Sequence, residues 1–170
     1  MTNLVKTMVW NRLRRCRSGA ALVEFALVAP MLVLLALGVF EFGRIVQSYH
    51  AIDKGVRDAA RYLGRGFATC DNNGNGSFTN GTQAKNLALY GNTDGSGSVV
   101  LGFWSDPNTI TINVGCVATS TNWISPNGGT YIPSVTVTAT VPYTGFGFIN
   151  YLGLQSSGFT TQHDEMGIPE

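Results

Sequence analysis

Ala20 to Phe40 reads AALVEFALVAPMLVLLALGVF, and Glu24 is the only charged residue in it. About 20 consecutive apolar residues are enough to carry a helix across the hydrocarbon core of a bilayer. The run also exceeds the roughly 7–15 residues of a secretory signal core, and helix-forming residues continue past Ala36-Leu37-Gly38. A retained membrane span over residues 20–41 is therefore expected rather than a cleaved signal peptide. Pro30 lies inside the run. It removes one helical hydrogen bond and favours a bend, which membrane helices tolerate.

The charge distribution sets the expected orientation. The 170 residues carry a formal net charge of only +1, but five of the eleven bases (Lys6, Arg12, Arg14, Arg15 and Arg17) precede Gly19 with no acid among them. That leaves six bases against all ten acids in the remainder. Basic residues beside a span hold that side in the cytoplasm, so residues 1–19 read as a cytoplasmic leader and residues 66–170 as an extracytoplasmic domain. Charged residues make up 12% of the chain, about half the usual share. This argues against a disordered acidic tail, a coiled coil or a nucleic-acid binder.

Glu24 is the residue a plain anchor does not need. A carboxylate near the end of an apolar span is costly unless paired, and such residues mark functional sites. The bland alternative is that it reaches headgroups or the leader arginines. The surrounding residues favour a function. Ser18-Gly19-Ala20-Ala21-Leu22-Val23-Glu24-Phe25 resembles a type IV prepilin processing site, in which a basic leader ends in Gly, cleavage follows the Gly, and the fifth residue after the cut is Glu. RSGAALVEFALVAPMLVLLALGVFEFGR followed by GVRDAARYLGRG is similar to the TadE-like family, minor pilins (pseudopilins) of tight-adherence (Flp) pilus systems.

The resemblance implies cleavage between Gly19 and Ala20 by a prepilin peptidase. The new Ala20 ammonium would then pair with the Glu24 carboxylate, within one chain or between neighbours. Such pairing lowers the burial cost of both charges. It also implies a bacterial inner-membrane location, other pilin subunits and the pilus assembly machinery as partners, and a role in pilus assembly, adhesion and biofilm formation. The large outer domain and the Glu24-Phe25 pair depart from the very short major Flp pilin, which carries Glu-Tyr, and so favour a minor subunit. TadG-like relatives share the N-terminal stretch but usually have a much longer outer portion.

Beyond the span, an amphipathic stem helix is expected over residues 42–65. Phe42, Ile45, Val46, Tyr49, Ile52, Val56, Ala59, Ala60 and Leu63 recur at steps of three and four, the helical period. Asp53 and Arg57 are spaced i,i+4 with the acid first. Gly64 or Gly66 can end the helix. Gly43 and Gly55 each weaken it by about 1 kcal/mol, so flexure is expected there.

In residues 66–170, Thr82–Tyr90 reads as a short helix capped by Thr82 and ended by Gly91. Ser98–Trp104, Thr109–Val114, Ser134–Val141 and Gly158–Glu165 read as strands. Ile110, Ile112 and Val114 alternate with polar residues, as do Val135, Val137 and Ala139. Pro133 and Pro142 frame the third strand, and Tyr143–Leu154 reads as an aromatic, Gly-rich connection, either a contact patch or a tucked loop. The expected class is α+β: a long N-terminal helix packed on a small antiparallel sheet, in the manner of pilins.

Cys16 lies in the leader, whereas Cys70 and Cys116 lie outside, where disulfides persist. A Cys70–Cys116 bridge is expected; the alternative is two separate buried thiols. Asp71, Asn73 and Asn75 match the first half of a calcium loop, but Thr82 stands where such a loop requires an acid, so a turn-rich loop is the better reading and no metal site is assigned. His50 and His163 lie far apart with no nucleophile or acid–base motif around them. The chain is expected to be a non-enzyme without a cofactor. The competing reading is an uncleaved, single-span, membrane-anchored module whose outer domain binds a ligand.

Overall fold

The computed structural model describes residues 18–119, 130–143 and 158–167. Residues 1–17 of the leader, with Cys16, and residues 144–154 of the aromatic connection lie outside them. Helix α1 runs Ser18–Gly64, followed by β1 (Ala68–Cys70), β2 (Gly76–Phe78) and α2 (Gly81–Tyr90). A short 3₁₀ turn, Pro107–Thr109, leads into β3 (Ile110–Ala118), then β4 (Tyr131–Val141) and β5 (Phe159–Met166). β3, β4 and β5 form an antiparallel sheet with β4 in the centre, and β1 and β2 form a separate antiparallel hairpin. The fold is α+β.

The chain divides into two compact units after Gly43. The first holds the apolar part of α1. Among the described residues α1 is the one helix long and apolar enough to cross a membrane. Pro30 sits within it without ending it.

The second unit, Arg44–Glu170, is built around one core. Ile52, Val56, Ala59, Ala60 and Leu63 from α1 meet Ala84, Ala88 and Leu89 from α2 and Val135, Val137, Ala139 and Val141 from β4. The alternation of β4 is the cause: its odd positions from Pro133 to Val141 are buried, while Thr136 and Thr138 are half-buried and Thr140 is exposed. Each fully buried Val or Ile side chain contributes about 1.5–3 kcal/mol of transfer free energy. The register, with Ile110 opposite Ala139 and Val137 opposite His163, puts the apolar alternates of β3 and β4 on the face turned to the helices.

Five sequence expectations are corrected. Ser98–Trp104 is not a strand. Its backbone is instead held by turns, with the Val100 N–H donating to Leu89 O at 2.8 Å and the Trp104 N–H to Leu101 O at 2.8 Å. Trp104 is buried there, and its indole N–H donates to Thr109 Oγ1 at 2.9 Å. Thr82 does not cap α2. The cap is Asn80, in a left-handed conformation with φ 57° and no side-chain hydrogen bond, and Thr82 falls inside the first turn. Gly91 does end α2, with its N–H bonded to Leu87 O.

Pro133 lies inside β4 rather than before it; it faces Cys116, and its carbonyl accepts from Gly167 N–H at 2.7 Å. Phe42, Val46 and Tyr49 do not join the buried face of the stem and stay exposed, Ser48 taking a buried place instead. Gly55 is a packing position rather than a point of flexure. A Cβ there would meet Ala88 O at 2.7 Å, so its absence lets α1 and α2 approach backbone to backbone. Gly66, at φ 102°, makes the turn after α1, and the Phe67 N–H donates to Leu63 O at 3.1 Å.

Candidate processing and assembly segment

Gly19, Ala20 and Glu24 all lie at the start of α1, which begins at Ser18. One turn separates Ala20 from Glu24, and side chains four apart in a helix share a face. The Glu24 side chain leans toward the N-terminal turn that holds Ala20. Glu24 is exposed, as are the large apolar residues around it: Leu22 at 70%, Phe25 at 66% and Leu27 at 75%. Exposed apolar surface on this scale marks a membrane-facing or protein-facing helix. An acid within it supplies the only polar handle between Ala20 and Phe40.

The cysteines of the second unit are joined. Cys70 and Cys116 form a disulfide with Cα atoms 6.0 Å apart, within the usual range for such bridges. It fixes the β1–β2 hairpin to β3 at the register position where Cys116 faces Pro133. Gly76 sits under the same contact: a Cβ there would fall 2.2 Å from Val114 O.

Asp71, Asn73 and Asn75 occupy the hairpin loop. Asp71 Oδ1 accepts from the Asn73 N–H at 2.9 Å and the Asn75 N–H at 2.7 Å, and Oδ2 accepts from the Asn75 amide at 2.8 Å. The side-chain bond from Asn75 and the backbone bond from Asn75 hold the Asp71 carboxyl below its ordinary value of 3.8, because each favours the ionised form. The carboxylate organises a tight turn, with Gly74 at φ 82°. Among the described residues no group of three or more His, Cys, Asp or Glu is gathered to hold a metal ion.

Several other polar groups form surface pairs. Arg57 bonds Asp53, as the i,i+4 spacing implies. His163 Nε2 lies 3.2 Å from Glu165 Oε2, which is 4.0 Å from Arg61 Nε. His50 is exposed on α1. A cleft of about 440 Å³ is lined by Asp58, Arg61, Tyr62, Arg65, Phe67 and Leu87, with the Tyr62 and Phe67 rings stacked at 4.8 Å. It brings no nucleophile and base together.

From sequence, Gly76 and Glu41 carry no expectation, and Gly55 carries only that of a helix-weakening residue. Gly55 and Gly76 carry close backbone approaches that only the folded geometry reveals. Glu41 is buried despite its charge, at 4% exposure, and its place at the end of the apolar run was the available signal.

Comparison with protein families places a match on the same stretch. The model for TadE-like protein aligns with residues 19–61. Neither the curated proteins nor the solved structures gave a match. The matched stretch opens at Gly19 and ends three residues before α1 does, so the similarity covers nearly the whole of the long N-terminal helix.

Proposed function

We propose that this chain is a minor pilin of a Tad/Flp-type pilus. It is inserted by α1, cut between Gly19 and Ala20 by a prepilin peptidase, and joined to other pilin subunits through the exposed apolar face that carries Glu24. The observation behind this reading is the coincidence of two features. The TadE-like match opens at Gly19, and Glu24 is an exposed acid in an otherwise apolar, exposed stretch of helix five residues further on. In this role the outer domain regulates or decorates pilus assembly, in support of adhesion and biofilm formation.

The deciding experiment is the intact mass and N-terminal residue of the full chain expressed with and without a prepilin peptidase. The expected product begins at Ala20 only when the peptidase is present. A Met1 start in both cultures overturns the reading and leaves an uncleaved, single-span module. Glu24→Leu then tests the pairing: normal membrane insertion with loss of incorporation into the assembly is expected. Normal incorporation would remove the role assigned to Glu24.

A further inference from the structure

Two arginines stand at the C-terminal end of α1, and the fold engages them unequally. Arg61 approaches Glu165 of β5 only loosely, with Nε 4.0 Å from Oε2. Arg65, one residue past Gly64, is exposed and has no hydrogen-bond or ion-pair partner among the described residues. Both line the cleft of about 440 Å³ that Asp58, Tyr62, Phe67 and Leu87 complete. All six residues belong to the second unit, so the cleft is built within one compact body.

The walls of the cleft define what it can hold. The stacked Tyr62 and Phe67 rings support one another and make an apolar wall, which half-buried Leu87 of α2 extends with an aliphatic patch. Asp58 brings one carboxylate, 3.9 Å from the exposed Lys54 Nζ. The lining therefore carries two guanidiniums against one carboxylate, a balance that suits a single anionic group and disfavours a polyanion. Like charges one helical turn apart repel, and a carboxylate set between Arg61 and Arg65 relieves that repulsion. The guanidinium fork matches a carboxylate in shape as well as charge. The volume falls in the ligand-sized range of about 300–1,000 Å³.

We propose that this cleft is a docking site for an acidic peptide segment of a partner protein, one in which a branched aliphatic residue stands beside a single Glu or Asp. The partner's carboxylate bridges Arg65 and Arg61, its aliphatic side chain lies against Tyr62, Phe67 and Leu87, and a backbone N–H donates to Asp58. An anionic polysaccharide fits less well. It would set successive carboxylates against Asp58 and leave the Leu87 patch facing hydroxyls. The site depends neither on cleavage after Gly19 nor on the membrane span.

The test uses the full chain in detergent micelles and two peptides capped at both ends, Gly-Ser-Leu-Glu-Ser-Gly and Gly-Ser-Leu-Gln-Ser-Gly, each carrying a neutral dye. Binding is followed by fluorescence anisotropy against empty micelles. The Glu peptide is expected to bind about ten-fold more tightly than the Gln peptide, as one charge-assisted pair supports, and the gap should narrow as salt rises.

Arg65→Gln should abolish the preference and leave the urea midpoint of the outer domain unchanged, since Arg65 has no partner to lose. Arg65→Lys should restore part of it, because an ammonium lacks the planar fork. Leu87→Ser should weaken both peptides alike. Equal binding of the two peptides by the parent chain, or a preference that survives Arg65→Gln, overturns the site. Displacement of the Glu peptide by a galacturonate trisaccharide at lower concentration than by unlabelled Glu peptide assigns the cleft to a glycan and overturns the peptide reading.

Discussion

Leu22, Leu27, Met31 and Val39 are between 67% and 75% exposed, whereas Ile52, Val56, Ala59 and Leu63 on the same helix are fully buried. The first group belongs to the unit that ends at Gly43 and the second to the unit that begins at Arg44. One helix in sequence thus obeys two solvation rules. Before Gly43 bulky side chains point outward, and their cover must come from lipid or other chains. After Arg44 the inward face narrows to Gly55, Ala59 and Ala60 beside larger aliphatics, and the cover is the chain's own sheet and α2.

Substitutions that act on one half and spare the other test this division. The largest effect is expected from Cys70→Ser with Cys116→Ser. The bridge closes a loop of sequence separation 46, and losing it should cost the outer domain up to about 4 kcal/mol, read as a lower urea midpoint in detergent, with membrane insertion unchanged. Leu34→Asp should do the reverse. It adds about 3 kcal/mol to insertion, seen as chain lost from the carbonate-resistant membrane fraction, with the outer-domain midpoint intact.

A matched pair of glycines comes next. Gly55→Ala should destabilise by about 1–2 kcal/mol, overpacking against Ala88 O outweighing the better helix propensity. Gly43→Ala, where a Cβ meets nothing within 4 Å, should be neutral or mildly stabilising. Equal effects in that pair would dissolve the distinction between the halves.

The smallest effect concerns pH. The Asp71 carboxyl is held below 3.8 in the fold, so its contribution is present above that value and lost as pH falls through the lower folded one. Asp71→Asn should therefore lower the outer-domain midpoint slightly at pH 6. The gap to the parent should close in strong acid, below the usual carboxylate range. A gap that is constant across pH would mean the loop does not depend on the ionised group.

Much of the fold was legible because its signals are periodic and long. The apolar run fixed one half of α1, the three-and-four spacing the other, and the Ile110 and Val135 alternations fixed β3 and β4. What escaped lies where local pattern and tertiary context disagree. Val99-Val100-Leu101 has strand-forming side chains but no partner strand, so the backbone turns. Ala68–Cys70 and Gly76–Phe78 are three residues each, too short for any period to show. Asn80 outranks Thr82 as an N-cap by type, and the chain does enter α2 through it, but in a left-handed conformation without a side-chain cap bond.

Of the candidate site, Gly19, Ala20 and Glu24 could be named from their spacing, since the proposed processing site is a linear motif. Gly55 could not, because its meaning depends on where Ala88 arrives from more than thirty residues away.

The disulfide has a mechanical consequence. Suppose α1 is held at one end and the sheet is pulled from the other, as happens to any subunit anchored by its helix and gripped by its outer domain. Tension leaves α1 at Gly64, passes the Gly66 turn into β1, and crosses at Cys70 directly to Cys116 on β3. The residues between the two cysteines, α2 among them, are bypassed. That withholds roughly 150 Å of chain from extension, so the contact between Gly55 and Ala88 is never in the path of the pull.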